Sequence, residues 1–160
     1  MKIFFDTEFH EYPHSIELIS IGMVSEDGRE LYLESSDIDL NTLDPWLDEN
    51  VVPHLQNKGV SRETIRDRII EFVGDDPNPE FWAYFADYDW VVFCWLFGRM
   101  VNLPANYPRY CKDFKQTMDE WGLTKKDLPP KPRNAHHALA DARWLRDAYL
   151  KASFDRDNIG

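Results

Sequence analysis

Cysteine is scarce in this 160-residue chain, which has only Cys94 and Cys111. That excludes a disulfide-stapled secreted framework. No Cys-x-x-Cys spacing supports a zinc site built with His54 or His137, and a buried free thiol is the ordinary case. Long apolar runs are missing as well. The longest, Val91 to Phe97, falls far short of the ~20 residues that a membrane span needs. No signal-peptide pattern opens the chain, because its first apolar stretch is short and meets acids at once. A cytoplasmic protein with no membrane partner is the expectation. Cations are outnumbered, 18 Lys+Arg against 29 Asp+Glu, for a net charge of −11. Such a chain repels polyanions at long range, which argues against a binder that tracks a nucleic-acid backbone along a basic groove. An enzyme that grips one end through metal ions is not excluded. With no repeat or linker in view, a single domain over residues 1–152 and a polar, fraying tail over 153–160 are expected.

Core-forming residues are plentiful: the chain is 43% hydrophobic, with 6 Trp and 10 Phe. Lys2 to Phe5, Ile16 to Ser25 and Arg29 to Ser35 read as strands, the last two joined by an "EDG" hairpin turn. Short helical pieces surround Trp46 and Leu55. Ser61 is placed to cap a helix carrying Ile65, Ile69 and Phe72 at helical spacing. "FWAYF" (81–85) reads as a strand, "DYDWVVFCWLFGRM" as an apolar helix, and 113–121 as another helix. After the stiff "LPPKPRN" comes a final amphipathic helix from about residue 136, with Ala138, Leu145, Ala148 and Tyr149 on its packed face. The order fits an α/β domain with a mixed sheet.

The first strand carries an anomaly. A strand alternates faces, so Asp6 and Glu8 are neighbours on one side, roughly 7 Å apart. Like charges there repel, so either a cation is shared between them or they point into solvent. Asp87 and Asp89 open the next apolar helix, where an acid can simply be a cap. Asp141 follows His136 and His137 at the start of the last helix. Four carboxylates and a histidine from separate elements can hold two divalent cations about 3.5–4 Å apart and take a proton from water. All-oxygen ligands suit Mg²⁺ or Mn²⁺ better than zinc.

These residues resemble the motifs of the DEDDh 3′–5′ exonucleases. "FFDTEF" is similar to the first motif, "YDWVVF" to the second and "HHALADAR" to the third, in the family's order across residues 6–141. The small size and the "DTEF" start are most similar to the compact stand-alone exoribonucleases, including the adenylate-preferring RNase AS branch. The resemblance implies a ribonuclease-H-like fold, a five-stranded mixed sheet flanked by helices. It implies that Asp6, Glu8, Asp89 and Asp141 hold two Mg²⁺ or Mn²⁺ ions, that Asp6 bridges them, and that His136 is the general base. Asp89 is preferred to Asp87 because it leaves Val92 and Phe93 at the family's apolar spacing. Phe85 stands in the region where many relatives have Asn.

The expected activity is hydrolysis of single-stranded RNA from its 3′ end, releasing nucleoside 5′-monophosphates. A DNA-directed exonuclease of the same fold and a silent RNA-binding or scaffold module are the alternatives, and a homodimer is compatible with each. Thr7, Phe9 and His10 are placed to meet the terminal nucleotide. Trp90, with Trp82 and Tyr84, could stack on bases, although core packing is the commoner role in so apolar a stretch. Lys125, Lys126, Lys131 and Arg133 form the one local basic cluster, and either phosphate contact or a solvated loop would explain it. For the two histidines, helical spacing favours His137, four residues before Asp141. A fully helical His136 would sit about 140° round the axis from Asp141. The family pattern favours His136, and Asn134 with the preceding prolines implies that the helix has barely begun there.

Overall fold

A computed structural model describes residues 1–159. Strands β1 (Lys2–Tyr12), β2 (Ser15–Ser25) and β3 (Glu30–Ser35) form an antiparallel meander. Helix α1 (Pro45–Asn50), strand β4 (Gly59–Val60), helix α2 (Arg62–Val73) and strand β5 (Glu80–Ala83) follow. Helix α3 (Asp87–Trp95), strand β6 (Lys112–Asp113), helix α4 (Phe114–Glu120) and helix α5 (Ala138–Asn158) complete the chain. The sheet order is β4-β3-β2-β1-β5-β6, with β5 parallel to both β1 and β6. The mixed ribonuclease-H-like α/β class holds, but with six strands and not five. Four of the six are the strands legible in the sequence; β4 and β6 are two-residue edge strands too short to show any periodicity there.

Alternation along β1 divides the core. Ile3 and Phe5 pack with Ile21, Met23, Ile65, Ile69 and Phe93 on one side. Phe4 packs with Trp144, Leu145 and Ala148 of α5 on the other. Asp6 and Glu8 therefore share the face of Phe4, toward α5. That helix lies unusually close to the sheet. A Cβ on Gly22, the residue paired with Asp6, would stand 2.3 Å from the Leu139 nitrogen and 2.5 Å from the Ala138 carbonyl carbon. Glycine at 22 and alanine at 138 let the first turn of α5 rest on the sheet directly over the acids.

Three sequence boundaries move. First, β1 continues to Tyr12 because β2 pairs along its whole length, so Asp6 and Glu8 lie within the strand and not at its end. Second, β5 stops at Ala83. Phe85 adopts a left-handed backbone (φ +56°), and the Asp113 carboxylate accepts the N–H groups of Phe85 (3.1 Å) and Ala86 (3.2 Å). Third, the expected polar tail is helical through Asn158. Ala152 is buried, Lys151 pairs with Asp155 one turn on at 2.6 Å, and the Arg156 guanidinium covers the Trp121 ring at 4.7 Å. Polar composition hides a helix stabilised by side-chain pairs.

Candidate active site

Three elements bring the acids together. From β1 come Asp6 and Glu8, from α3 comes Asp89 in its first turn, and from α5 comes Asp141, also in its first turn. Asp87, the rival of Asp89, is exposed, whereas Asp89 is buried against β1. Asp89 Oδ1 accepts the Thr7 N–H at 2.9 Å and the Thr7 hydroxyl as well. Asp141 Oδ2 accepts the His136 N–H at 2.9 Å. The remaining oxygens tell more: Asp6 Oδ2 and Asp141 Oδ1 are buried with no hydrogen-bond partner among the described residues.

Burial and mutual repulsion set the electrostatics. Asp6 is held well above the usual carboxylate range, chiefly by burial and then by the charges of Asp89, Glu8 and Asp141. Lys131 opposes that rise. Glu8 is pushed up to about 8, again by burial first, with Asp141 and Asp89 adding repulsion. Asp89 rises to about 6 through burial, and its two bonds from Thr7 restrain the rise. Orphaned hard oxygens beside mutually repelling carboxylates fit a divalent cation bound among them. Asp6, Glu8, Asp89 and Asp141 could supply all-oxygen ligands for such an ion.

The two histidines separate. His136 precedes α5 in a left-handed conformation (φ +71°), and ligand atoms of Glu8, His136 and Asp141 all lie within 4.8 Å of one another. Its ring meets the exposed Trp46 edge-on at 4.9 Å. His137 is the N-cap of α5, where its Nδ1 accepts the Ala140 N–H at 3.4 Å, and its ring stacks on Tyr32 at 4.5 Å. Burial and the neighbouring His54 lower the His137 pKa. The structure thus places His136 at the acids and His137 in a packing role.

The four expected substrate contacts are redistributed. Both polar groups of Thr7 serve Asp89, so this residue positions a carboxylate. Phe9 points to the other side of β1, half-buried in the main core and edge-on to Tyr88 at 5.9 Å. His10 is buried, with its ring 4.2 Å from that of Tyr12 and its Nε2 3.8 Å from Asp44. Trp90 packs in the core as well, stacked on Phe93 at 5.2 Å and tilted on Phe81 at 5.8 Å. Its indole is turned away from the acids that its neighbour Asp89 joins, since adjacent helical residues point about 100° apart. Lys131 settles the basic cluster in part: its ammonium lies 3.5 Å over the Trp144 ring and feels the charges of Asp141 and Asp6. In sequence Trp46 is only a landmark between helical pieces, and nothing local ties it to His136.

A mixed α/β sheet with acids gathered from β1, α3 and α5 defines a nuclease-like domain. The crystal structure of cell-death related nuclease 4 has this fold, with a TM-score of 0.65 and 16% identity over 97% of the present chain and 64% of that one. Residues 1–152 match the Rv2179c-like 3′-5′ exoribonuclease domain, and the chain belongs to that family. It is 41% identical over 162 aligned residues to the 3′-5′ exoribonuclease Rv2179c of Mycobacterium tuberculosis strain ATCC 25618 / H37Rv, covering 97% of this chain and 95% of that protein. The 3′-5′ exoribonuclease MT2234.1 of strain CDC 1551 / Oshkosh aligns with the same identity and coverage.

Proposed function

We propose that the protein is a 3′–5′ exoribonuclease that hydrolyses single-stranded RNA from its 3′ end and releases nucleoside 5′-monophosphates. The observation that carries the reading is the pair of orphaned, buried oxygens on Asp6 and Asp141 within a four-carboxylate cluster, in a chain of an exoribonuclease family. Asp6, Glu8, Asp89 and Asp141 would hold Mg²⁺ or Mn²⁺, two ions in all. Bound there, such ions polarise the scissile phosphodiester and offset its developing charge.

The chain's own residues supply the rest. His136 stands outside the regular helix, beside Glu8 and Asp141, where its imidazole can accept the proton of the attacking water. Thr7 keeps Asp89 turned toward Asp6. Asp141 accepts the His136 backbone N–H, so a carboxylate of the ligand cluster also holds the backbone that carries the base. No helix among the described residues is long and apolar enough to cross a membrane. Cys94 and Cys111 are free thiols, which suits the reducing cytoplasm.

The test is an assay with 5′-labelled RNA and DNA oligomers of equal sequence, incubated with Mg²⁺, Mn²⁺ or EDTA. A ladder shortened from the 3′ end of RNA, abolished by EDTA, is the expected result. Preference for DNA would move the activity to the sister class, and inertness toward both would point to a binding module.

A further inference from the structure

Beside the carboxylates lies a second feature that the chemistry proposed above does not use. A cleft of about 570 Å³, large enough for a nucleotide, opens between the end of β5, α4, the proline-rich segment and α5. Tyr84, Phe85 and Trp144 line it, with Lys115, Lys125 and Lys131 around it. Phe85 is 61% exposed and lies edge-on to Tyr84 at 4.6 Å, while Tyr84 meets Trp144 at 5.4 Å. A large ring so exposed contributes little to the core. Yet the Phe85 backbone is kept in the left-handed region by the Asp113 carboxylate.

Charge supplies the occupant. The lysine ion pairs are those of Lys112, Lys115 and Lys151, which leaves Lys125 and Lys131 without a carboxylate partner among the described residues. Two unpaired ammonium groups beside aromatic rings, on a protein of net charge −11, complement a short stretch of polyanion that carries bases. The cleft lies next to the acids: Trp144 follows Asp141 by three residues on α5, and Lys131, which sits over Trp144, feels the charges of Asp141 and Asp6. The phosphate being cleaved belongs at the carboxylates. Cations further out can serve only phosphates further along the strand, on its 5′ side.

We propose that this cleft holds the base immediately 5′ of the scissile phosphate, stacked on Phe85, with Lys131 and Lys125 on the backbone phosphates of that stretch. The assignment rests on the exoribonuclease reading. It makes the cleft, and not Phe9, His10 or Trp90, the place where the substrate strand is read.

The experiment compares steady-state cleavage of a short RNA by the parent, Phe85→Ala, Phe85→Tyr and Lys131→Gln. Losing one base–aromatic stack should raise KM about 10-fold in Phe85→Ala while kcat stays within about twofold, and Phe85→Tyr should restore the parent KM. Because Phe85 is exposed, unchanged melting temperatures should accompany these changes. In Lys131→Gln the slope of log KM against log salt should fall by about 1, the mark of one lost phosphate contact. Unchanged KM in Phe85→Ala with an active parent would overturn the subsite, as would an unaltered salt slope in Lys131→Gln. A parent inert toward RNA would instead remove the reading on which the subsite depends.

Discussion

Replacing Glu8 by Gln should make the metal-free protein more stable, although it damages the site. Glu8 has an ordinary value of 4.5 and is pushed up to about 8 in the folded chain. As pH rises, the unfolded chain gives up this proton first, so between 4.5 and about 8 the native state binds more protons and stability falls. The glutamate's contribution is therefore complete in acid and is lost as pH passes through that window. At pH 7 the loss amounts to about 3 kcal/mol, the ordinary cost per pH unit accumulated from 4.5 upward. Gln keeps the shape and never ionises, so it escapes the whole cost. For a chain of this length the variant should melt roughly 6–12 °C above the parent in EDTA at pH 7. The gap should shrink roughly fourfold by pH 5. Adding Mg²⁺ should raise the parent's melting temperature far more than the variant's, because only the parent offers the carboxylate. Thermal melts at two pH values, with and without the ion, decide the matter. Equal melting at pH 7 in EDTA, or a gap indifferent to pH, would refute the claim that burial and mutual repulsion strain these acids.

His136→Ala should cut turnover by roughly 10²–10⁴ with Mg²⁺ affinity nearly unchanged, read by single-turnover kinetics and metal titration. His137→Ala should leave turnover close to normal but cost about 1 kcal/mol of stability, since it removes a helix cap and a ring stacked on Tyr32. Thr7→Val should weaken metal binding about 10-fold and move its onset to higher pH, because Asp89, already at about 6, loses a hydrogen bond that favours its charged form. Gly22→Ala should lower the melting temperature by about 2–10 °C and abolish turnover together, since the new methyl group collides with the first turn of α5. Full activity in Gly22→Ala would mean that Asp141 does not need its present seat.

Local patterns in the sequence are legible, and contacts made by packing are not. Period-two alternation in β1 is local, and by itself it puts Asp6 and Glu8 on one face. The prolines ahead of Asn134 are local too, and His136 does stand outside the helix that begins at Ala138. The far end of α5 escapes a sequence reading because its last turns are built from charged residues, whose i,i+4 pairing carries no apolar signal. Trp90 lies in the core, the commoner role for so apolar a stretch, and adjacency to Asp89 in sequence does not set its direction, because the next side chain on a helix turns away by about 100°. Contacts made only by tertiary packing, such as Trp46 on His136 and Lys131 near Asp6, leave no local trace at all.

Burial also explains why the acids stand out as a set. A folded chain gains nothing from burying Asp6 and Asp141 with unpaired oxygens, and a single unsatisfied buried polar group costs about 1–3 kcal/mol, more when charged. Exposure at a strand end would have removed that cost, yet β1 runs on past Glu8 and Gly22 admits α5 above it. The fold therefore works to enclose the acids when it could have released them. Protonation of Asp6 and Glu8 relieves part of that cost, and a bound divalent cation would relieve it while the acids stay ionised, so the strain itself argues for metal chemistry. Asn134, left-handed His136 and the N-cap His137 then complete a consistent arrangement: the irregular approach to α5 supplies the base, its first turn supplies Asp141, and the remainder of the helix anchors both to the core through Leu145 and Ala148.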